Sequence, residues 1–223
     1  MEGREPDCAS ILTVDRKHKA AGKRAKIDYL VANNEATLLY MINLGCIDIN
    51  PSTSRVRSPN HPDYIIIDLD PSDDDFKKAI KTAIAAKTFF DSKKLKAFIK
   101  TSGKTGMHLY LPCPDFDFRQ ARDIAENICN AIHELVSGFT TTAVNISSRG
   151  NKLYIDSNQN DFADTVATPY AARPFHHPSV STPLDWKEVK LSLDPLQFDI
   201  NTIVARIKKK AIYLRVSWII KLL

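Results

Sequence analysis

Hydrophobic and polar positions follow two periods along this chain. From Tyr64 to Leu69 the run Tyr-Ile-Ile-Ile-Asp-Leu is nearly continuous in apolar and β-branched residues and is bounded by Pro62 and Pro71, which predicts a buried central strand. Ser72 or Asp73 can then cap a helix from Asp74 to Phe90, where Phe76, Ile80, Ala83 and Ile84 recur at helical spacing and lysines occupy the other face. Lys96 to Thr101 and Met107 to Leu111 read as two strands joined through Ser102-Gly103-Lys104-Thr105-Gly106, a connection of hairpin length. Asp117 caps a longer helix, Phe118 to Val136, with Ala121, Ile124, Ala125, Ile128, Ile132 and Leu135 on its buried side. Thr140 to Asn145 and Lys152 to Asp156 predict two more strands around the turn Ser147-Ser148-Arg149-Gly150.

Outside this block the signals are local. Asn33 or Asn34 can cap a helix with Leu38, Leu39, Met41 and Ile42 as an apolar stripe, and Gly45 stands where a helix end favours positive φ. Cys46 to Ile49 reads as a short strand stopped by Pro51. Residues 1–26 carry many basic side chains and no sustained period, an extension that is partly helical at most. The proline-rich stretch from Asn158 to Pro195 reads as a long wrap over the core with short strands, before a last helix near Asp199 to Lys209. The order strand, helix, strand, strand, helix, strand, strand predicts an α+β domain, helices packed on a mostly antiparallel sheet.

Composition narrows the class. Of the 223 residues, 43% are hydrophobic and 26% charged, as in a folded globular domain, and 7 Gly, 12 Pro and 4 Cys exclude collagen-like, low-complexity and disulfide-scaffold chains. The cysteines lack C-x-x-C spacing, so they predict reduced thiols and neither a zinc ribbon nor a redox pair. No stretch is apolar over the ~20 residues that cross a bilayer, and a cytosolic protein with no membrane partner is expected. Thirty-one basic against 26 acidic residues leave +5, compatible with a polyanionic partner.

Three features bear chemistry. Asp68 and Asp70 are two apart on a strand and so project together, and an unneutralised carboxylate pair costs several kcal/mol per ion to desolvate, about what a divalent cation relieves. Capping of the next helix is the alternative use of aspartates there. In the second feature, Lys100 to His108, the backbone N–H groups around two glycines, the Ser102 hydroxyl and the Lys104 ammonium are phosphate-binding groups, although the segment is no P-loop and a plain solvated hairpin remains open. His108 shares its strand face with Tyr110, where it can be structural or touch a phosphate. In the third, Lys152, Tyr154 and Asp156 alternate onto one face, adding a third carboxylate and a cation.

Together, Asp68-Leu69-Asp70-Pro71, the Lys100 to His108 segment, and Arg149 to Asp156 followed by Gln159-Asn160, Pro169-Tyr170, Arg173, Val180 to Leu184 and Trp186 resemble the polymerase domain of bacterial DNA ligase D, of the archaeo-eukaryotic primase superfamily. The resemblance implies a primase-type core and nucleotidyl transfer to 3′ ends in non-homologous end joining, as part of or beside an ATP-dependent ligase. It implies a two-metal Mn²⁺ or Mg²⁺ site held by Asp68, Asp70 and Asp156, with NTP or dNTP bound by Ser102, Lys104 and His108 and, less directly, Lys152. Implied partners are DNA ends, with Ku and a ligase module as family expectations, and implied placement is the bacterial cytoplasm at the nucleoid. The match is placed at residues 27–210. Residues 1–26 do not resemble the family's N-terminal portion, residues 211–223 form an atypical apolar tail, and Ser52 stands where an aromatic residue is common, so an N-terminally truncated domain is expected. Two rivals follow: an inactive remnant that binds nucleic acid through Lys77, Lys78, Lys81, Lys87, Lys93, Lys94 and Lys96, and a metal-dependent phosphohydrolase.

Overall fold

A computed structural model of the chain describes residues 10–15, 26–113 and 115–214. In chain order the elements are β1 (Ser10–Asp15), β2 (Lys26–Val31), α1 (Glu35–Asn43), β3 (Ser54–Arg55), β4 (Ser58–Pro62), β5 (Tyr64–Pro71), α2 (Phe76–Ser92), β6 (Phe98–Thr101), β7 (Met107–Pro112), α3 (Phe118–Val136), β8 (Thr140–Thr141), β9 (Leu153–Asp156), β10 (Pro183–Leu184) and α4 (Ile203–Leu214). Six strands form one sheet in the order β10-β6-β7-β5-β9-β8, antiparallel except for the parallel β8–β9 pair. The mixed α+β architecture with a mostly antiparallel sheet is the one expected.

The isoleucine-rich run earns its central place because both its faces are covered. Ile65, Ile67 and Leu69 join Met107, Leu109, Leu111, Leu153 and Ile155 in a core closed by Ala79, Ile80, Ala83, Ala86 and Phe90 of α2 and Ala121, Ala125, Ile128 and Ile132 of α3. Each such fully buried aliphatic side chain contributes about 1.5–3 kcal/mol. On the other face Ile66 packs with Phe98, Tyr110 and Val166 in a smaller cluster. Beyond β9's reach, β5 is completed by Asn160: its Oδ1 accepts from the Ile66 N–H at 2.8 Å and its Nδ2 donates to the Ile66 carbonyl at 2.6 Å. One side chain thus stands in for a neighbouring strand.

Several local expectations need correction. Residues 10–15, assigned to a loose extension, form β1 and pair in register with β2. Cys46 to Ile49 is not a strand; the Ile49 and Pro51 carbonyls instead accept from Thr168 and Val166 far along the chain. Residues 54–62, unassigned in sequence, form the β3–β4 hairpin. The cap of α2 is Asp75 and not Ser72 or Asp73, since Asp74 lies at φ 59° and cannot enter the helix. Asn34 caps α1 and Gly45 follows at φ +83°, but Leu38, Leu39 and Ile42 are exposed and Thr37 is the buried residue of that helix. Strand β8 is shorter than Thr140 to Asn145, and α4 runs past Lys209 to Leu214. The remainder of the 211–223 tail and most of residues 1–26 lie outside the described residues. Among the described residues no helix is long and apolar enough to cross a membrane, and Cys46, Cys113 and Cys129 are free thiols.

Candidate functional site

Register brings the chemistry together. Lys100 lies opposite His108, His108 opposite Asp68, and Asp68 opposite Asp156, so one row crosses β6, β7, β5 and β9. Two residues on, Asp70 lies opposite Tyr154. Because side chains alternate across a strand, this row shares a face with Ile66, Phe98 and Tyr110, away from the helices. Along the strands the face therefore changes from apolar to charged within two residues.

The three aspartates influence one another strongly. Burial, then the charges of Asp70 and Asp156, push the Asp68 carboxyl up to about 7, against the opposing pull of Lys100 and Arg173. Burial also raises Asp70; Arg149 opposes this and Asp156 adds to it. The donor set has the chemistry of a hard divalent cation site: carboxylate oxygens on one face, in mutual repulsion that a cation would remove. Among the described residues, no group of three His, Cys, Asp or Glu already stands converged on such an ion. The set therefore fits a metal by charge and donor type without being closed around one.

At the other end of the row the groups are cationic and buried. Lys100 is fully buried; its Nζ donates to Ser181 Oγ and lies 5.9 Å from the centre of the Tyr110 ring. Burial draws its ammonium down to about 7, with Asp68 opposing. His108 Nε2 stands 3.5 Å from Asp68 Oδ1, while Nδ1 is buried with no hydrogen-bond partner among the described residues. Burial, then Lys100 and Arg173, holds the imidazole well below its ordinary pKa, so the ring is neutral at pH 7.

The glycine-containing turn between β6 and β7 is built tightly. Ser102 Oγ accepts from the Lys104 and Gly106 N–H groups, both at 3.1 Å, which draws the turn around the hydroxyl. Gly103 sits at φ +78°, and a Cβ there would collide with Arg173 and the Ser181 backbone. Gly106 lies against β5, where a Cβ would collide with the Leu69 carbonyl oxygen. Residues 179–182 clasp the turn from outside: Ser179 Oγ donates to the Gly103 carbonyl, Ser181 Oγ to that of Thr101 at 3.0 Å, and the Thr182 N–H to Thr101 Oγ1 at 2.9 Å.

Asp156 is held by its neighbours. Its Oδ1 accepts from the Tyr154 hydroxyl at 3.1 Å, the Asn158 N–H at 2.8 Å and Asn158 Nδ2 at 2.7 Å. Asn158 Nδ2 also donates to the Tyr154 hydroxyl at 2.9 Å, and the Arg149 guanidinium stacks 3.6 Å from the Tyr154 ring centre.

Of the residues singled out in sequence, Asp68, Asp70, Asp156 and His108 are brought to one face, and Ser102 closes the adjoining turn. Lys104 is exposed on that turn, near enough for its charge to be felt at Asp70. Lys152 is exposed in the turn just before β9, with no side-chain contact to the row among the described residues. Sequence reasoning gave no site role to Lys100, although alternation on β6 places it beside His108. It also missed the Asp48 and Asn50 contacts that fix Arg173, at 2.9 and 3.2 Å, because they span more than a hundred residues. The lysines of α2 belong to a helix packed on the opposite sheet face, away from the aspartates.

Comparison with known proteins gives the family and the fold. The family described as LigD, primase-polymerase domain, matches residues 5–213, a range that includes residues 5–26 and 211–213 outside the expected span of 27–210. The chain is 36% identical over 190 residues to the bifunctional non-homologous end joining protein LigD of Bacillus subtilis (strain 168), covering 82% of this chain and 30% of that protein. It is 29% identical over 182 residues to the multifunctional non-homologous end joining protein LigD of Mycolicibacterium smegmatis, covering 79% and 24%. The chain thus spans less than a third of the length of these relatives. In fold it is similar to the polymerase domain from Mycobacterium tuberculosis ligase D in complex with DNA, with a TM-score of 0.81 at 22% identity, over 95% of this chain and 75% of that one.

Proposed function

The chain belongs to the LigD primase-polymerase family, and on that premise we propose that it transfers nucleotides from NTP or dNTP to the 3′ ends of broken DNA, in end joining beside a ligase. The observation that supports this reading is the four-strand row, in which Asp68 and Asp156 stand in register with His108 and Lys100 on one sheet face. Asp68, Asp70 and Asp156 would hold Mn²⁺ or Mg²⁺. Such a cation would supply Lewis acidity towards the 3′-hydroxyl and charge neutralisation towards the pyrophosphate.

The protein's own groups bind and orient the nucleotide. Ser102 Oγ has two lone pairs engaged by N–H donors, which leaves its proton for a phosphate oxygen. The neutral His108 ring can donate one hydrogen bond to the triphosphate without adding charge, and the exposed Lys104 ammonium supplies charge at the rim. Lys152 would reach only a substrate that extends beyond the β9 end. Arg173, pinned by Asp48 and Asn50, adds a fixed positive charge that is felt at Asp68, Lys100 and His108.

Primer extension with Mn²⁺ and a gapped DNA tests the reading. Labelled primer should lengthen with the unaltered chain and not with Asp68→Ala. Phosphate release without extension would favour the phosphohydrolase, and DNA retention without extension the binding module; either result overturns the transferase.

A further inference from the structure

Asp156 carries more hydrogen bonds than a carboxylate waiting for a cation requires, and their distribution is uneven. Among the described residues the three donors to it, the Tyr154 hydroxyl, the Asn158 N–H and Asn158 Nδ2, all end on Oδ1. An oxygen accepting three hydrogen bonds has no lone pair left for a metal, so Oδ2 is the oxygen available to one. Tyr154 and Asn158 are themselves joined, and Arg149, anchored on the Ala143 and Val144 carbonyls at 3.0 and 2.8 Å, stacks on the Tyr154 ring. These hydrogen bonds all lie within residues 143–158 and include neither β5 aspartate.

We propose that Tyr154 and Asn158 are positioning residues that lock Asp156 into offering a single oxygen, Oδ2, to the cation it shares with Asp68 and Asp70. The proposal rests on the transferase reading above, in which Asp156 is a metal ligand. The lock has a physical use. Asp156 stands opposite Asp68 across the strand pair, and a carboxylate free to rotate would relieve their repulsion by turning away. Three hydrogen bonds hold it in place before the ion arrives, so that no ordering is left to the binding step. A one-oxygen ligand also suits a small octahedral ion, whose sites are close to ideal and leave no room for a bidentate carboxylate.

The test is titration of the full chain with Mn²⁺ alone, following free Mn²⁺ by electron paramagnetic resonance, with thermal unfolding as a check on folding. Tyr154→Phe keeps the ring and the Arg149 stack and removes only the hydroxyl. Asn158→Ala removes the amide donor and leaves its backbone N–H. Each should weaken Mn²⁺ binding about tenfold at unchanged melting temperature. If binding is abolished by Asp68→Ala but unmoved or tightened by Tyr154→Phe and Asn158→Ala, this inference is overturned and the transferase reading stands. If the unaltered chain binds no Mn²⁺, both are overturned.

Discussion

Gly106 is where the Ser102–Gly106 turn meets the strand that carries Asp68 and Asp70, so an alanine there tests how tightly the two are joined. Its added Cβ would lie well inside the 3.0 Å that real Cβ atoms keep from the Leu69 carbonyl oxygen, with the Leu69 carbonyl carbon at 3.3 Å and Asp70 Cα at 3.6 Å. None of these atoms can swing aside as a side chain could. Leu69 is paired on both edges, to Met107 and to Ile155, so a shift of several tenths of an ångström must be taken up by a doubly hydrogen-bonded backbone between the two aspartates. Overpacking of this kind costs about 1–3 kcal/mol, or roughly 4–8 °C in melting temperature for 2 kcal/mol in a domain of this size. The effect on activity should be larger, because misplacement of reacting groups by about 1 Å can cost 10²-fold. Gly138→Ala is the control: it lies in a turn after α3 with nothing within 4 Å of its added Cβ, and its stability should stay within about 0.5 kcal/mol. Urea unfolding and primer extension on both variants check this. A Gly106→Ala protein as stable and as active as Gly138→Ala would refute the claim that the turn and the aspartate strand are in tight register.

Other positions give independent checks. Asn160→Ala leaves the buried Ile66 N–H and carbonyl without partners and should cost about 2–4 kcal/mol in urea unfolding; a loss under 1 kcal/mol would mean water replaces the amide. Burial pushes the Glu188 carboxyl up, but hydrogen bonds from Arg206 and Lys210 outweigh it and hold it at about 2 against an ordinary 4.5. A depressed folded pKa stabilises above the unfolded value and is lost as pH falls through the folded one. Glu188→Gln should therefore destabilise by roughly 1–2 kcal/mol at pH 7, after discounting for partial exposure, and the gap should close as pH falls from about 4.5 towards 2, read from melting curves. If the Ser102 hydroxyl binds the triphosphate as proposed, Ser102→Ala should raise KM for the nucleotide about tenfold or more, the worth of a hydrogen bond to a charged group; an unchanged KM would remove Ser102 from the proposed binding set.

What the sequence made legible follows from the range of the forces involved. Most of the segment from β5 to α3 is legible because its signals are short-range: the Tyr64 to Leu69 run, helical spacing from Phe76, and Asp117 as the cap of α3. The period-2 alternation that puts Asp68 and Asp70 on one face is equally local, whereas Asp156 joins them only through the β5–β9 register. What escaped was set by distant partners. The fate of Cys46 to Ile49 depends on Thr168 and Val166, and the burial of Lys100 depends on Ser181. The apolar stripe of α1 implied a buried face that the fold does not give it. Helix α2 begins later than its first candidate cap because Asp74 adopts a left-handed backbone, which the run of three aspartates does not reveal.

The central claim is that Asp68, Asp70 and Asp156 jointly hold the cation beside the nucleotide's phosphates. Diffraction at the manganese absorption edge, from crystals of the full chain soaked with Mn²⁺ and a non-hydrolysable NTP, reads this directly. The account predicts an anomalous peak bonded to oxygens of all three aspartates, with the triphosphate along Ser102 and His108. Manganese bound elsewhere, or bonded to Asp68 and Asp70 but not to Asp156, would contradict it.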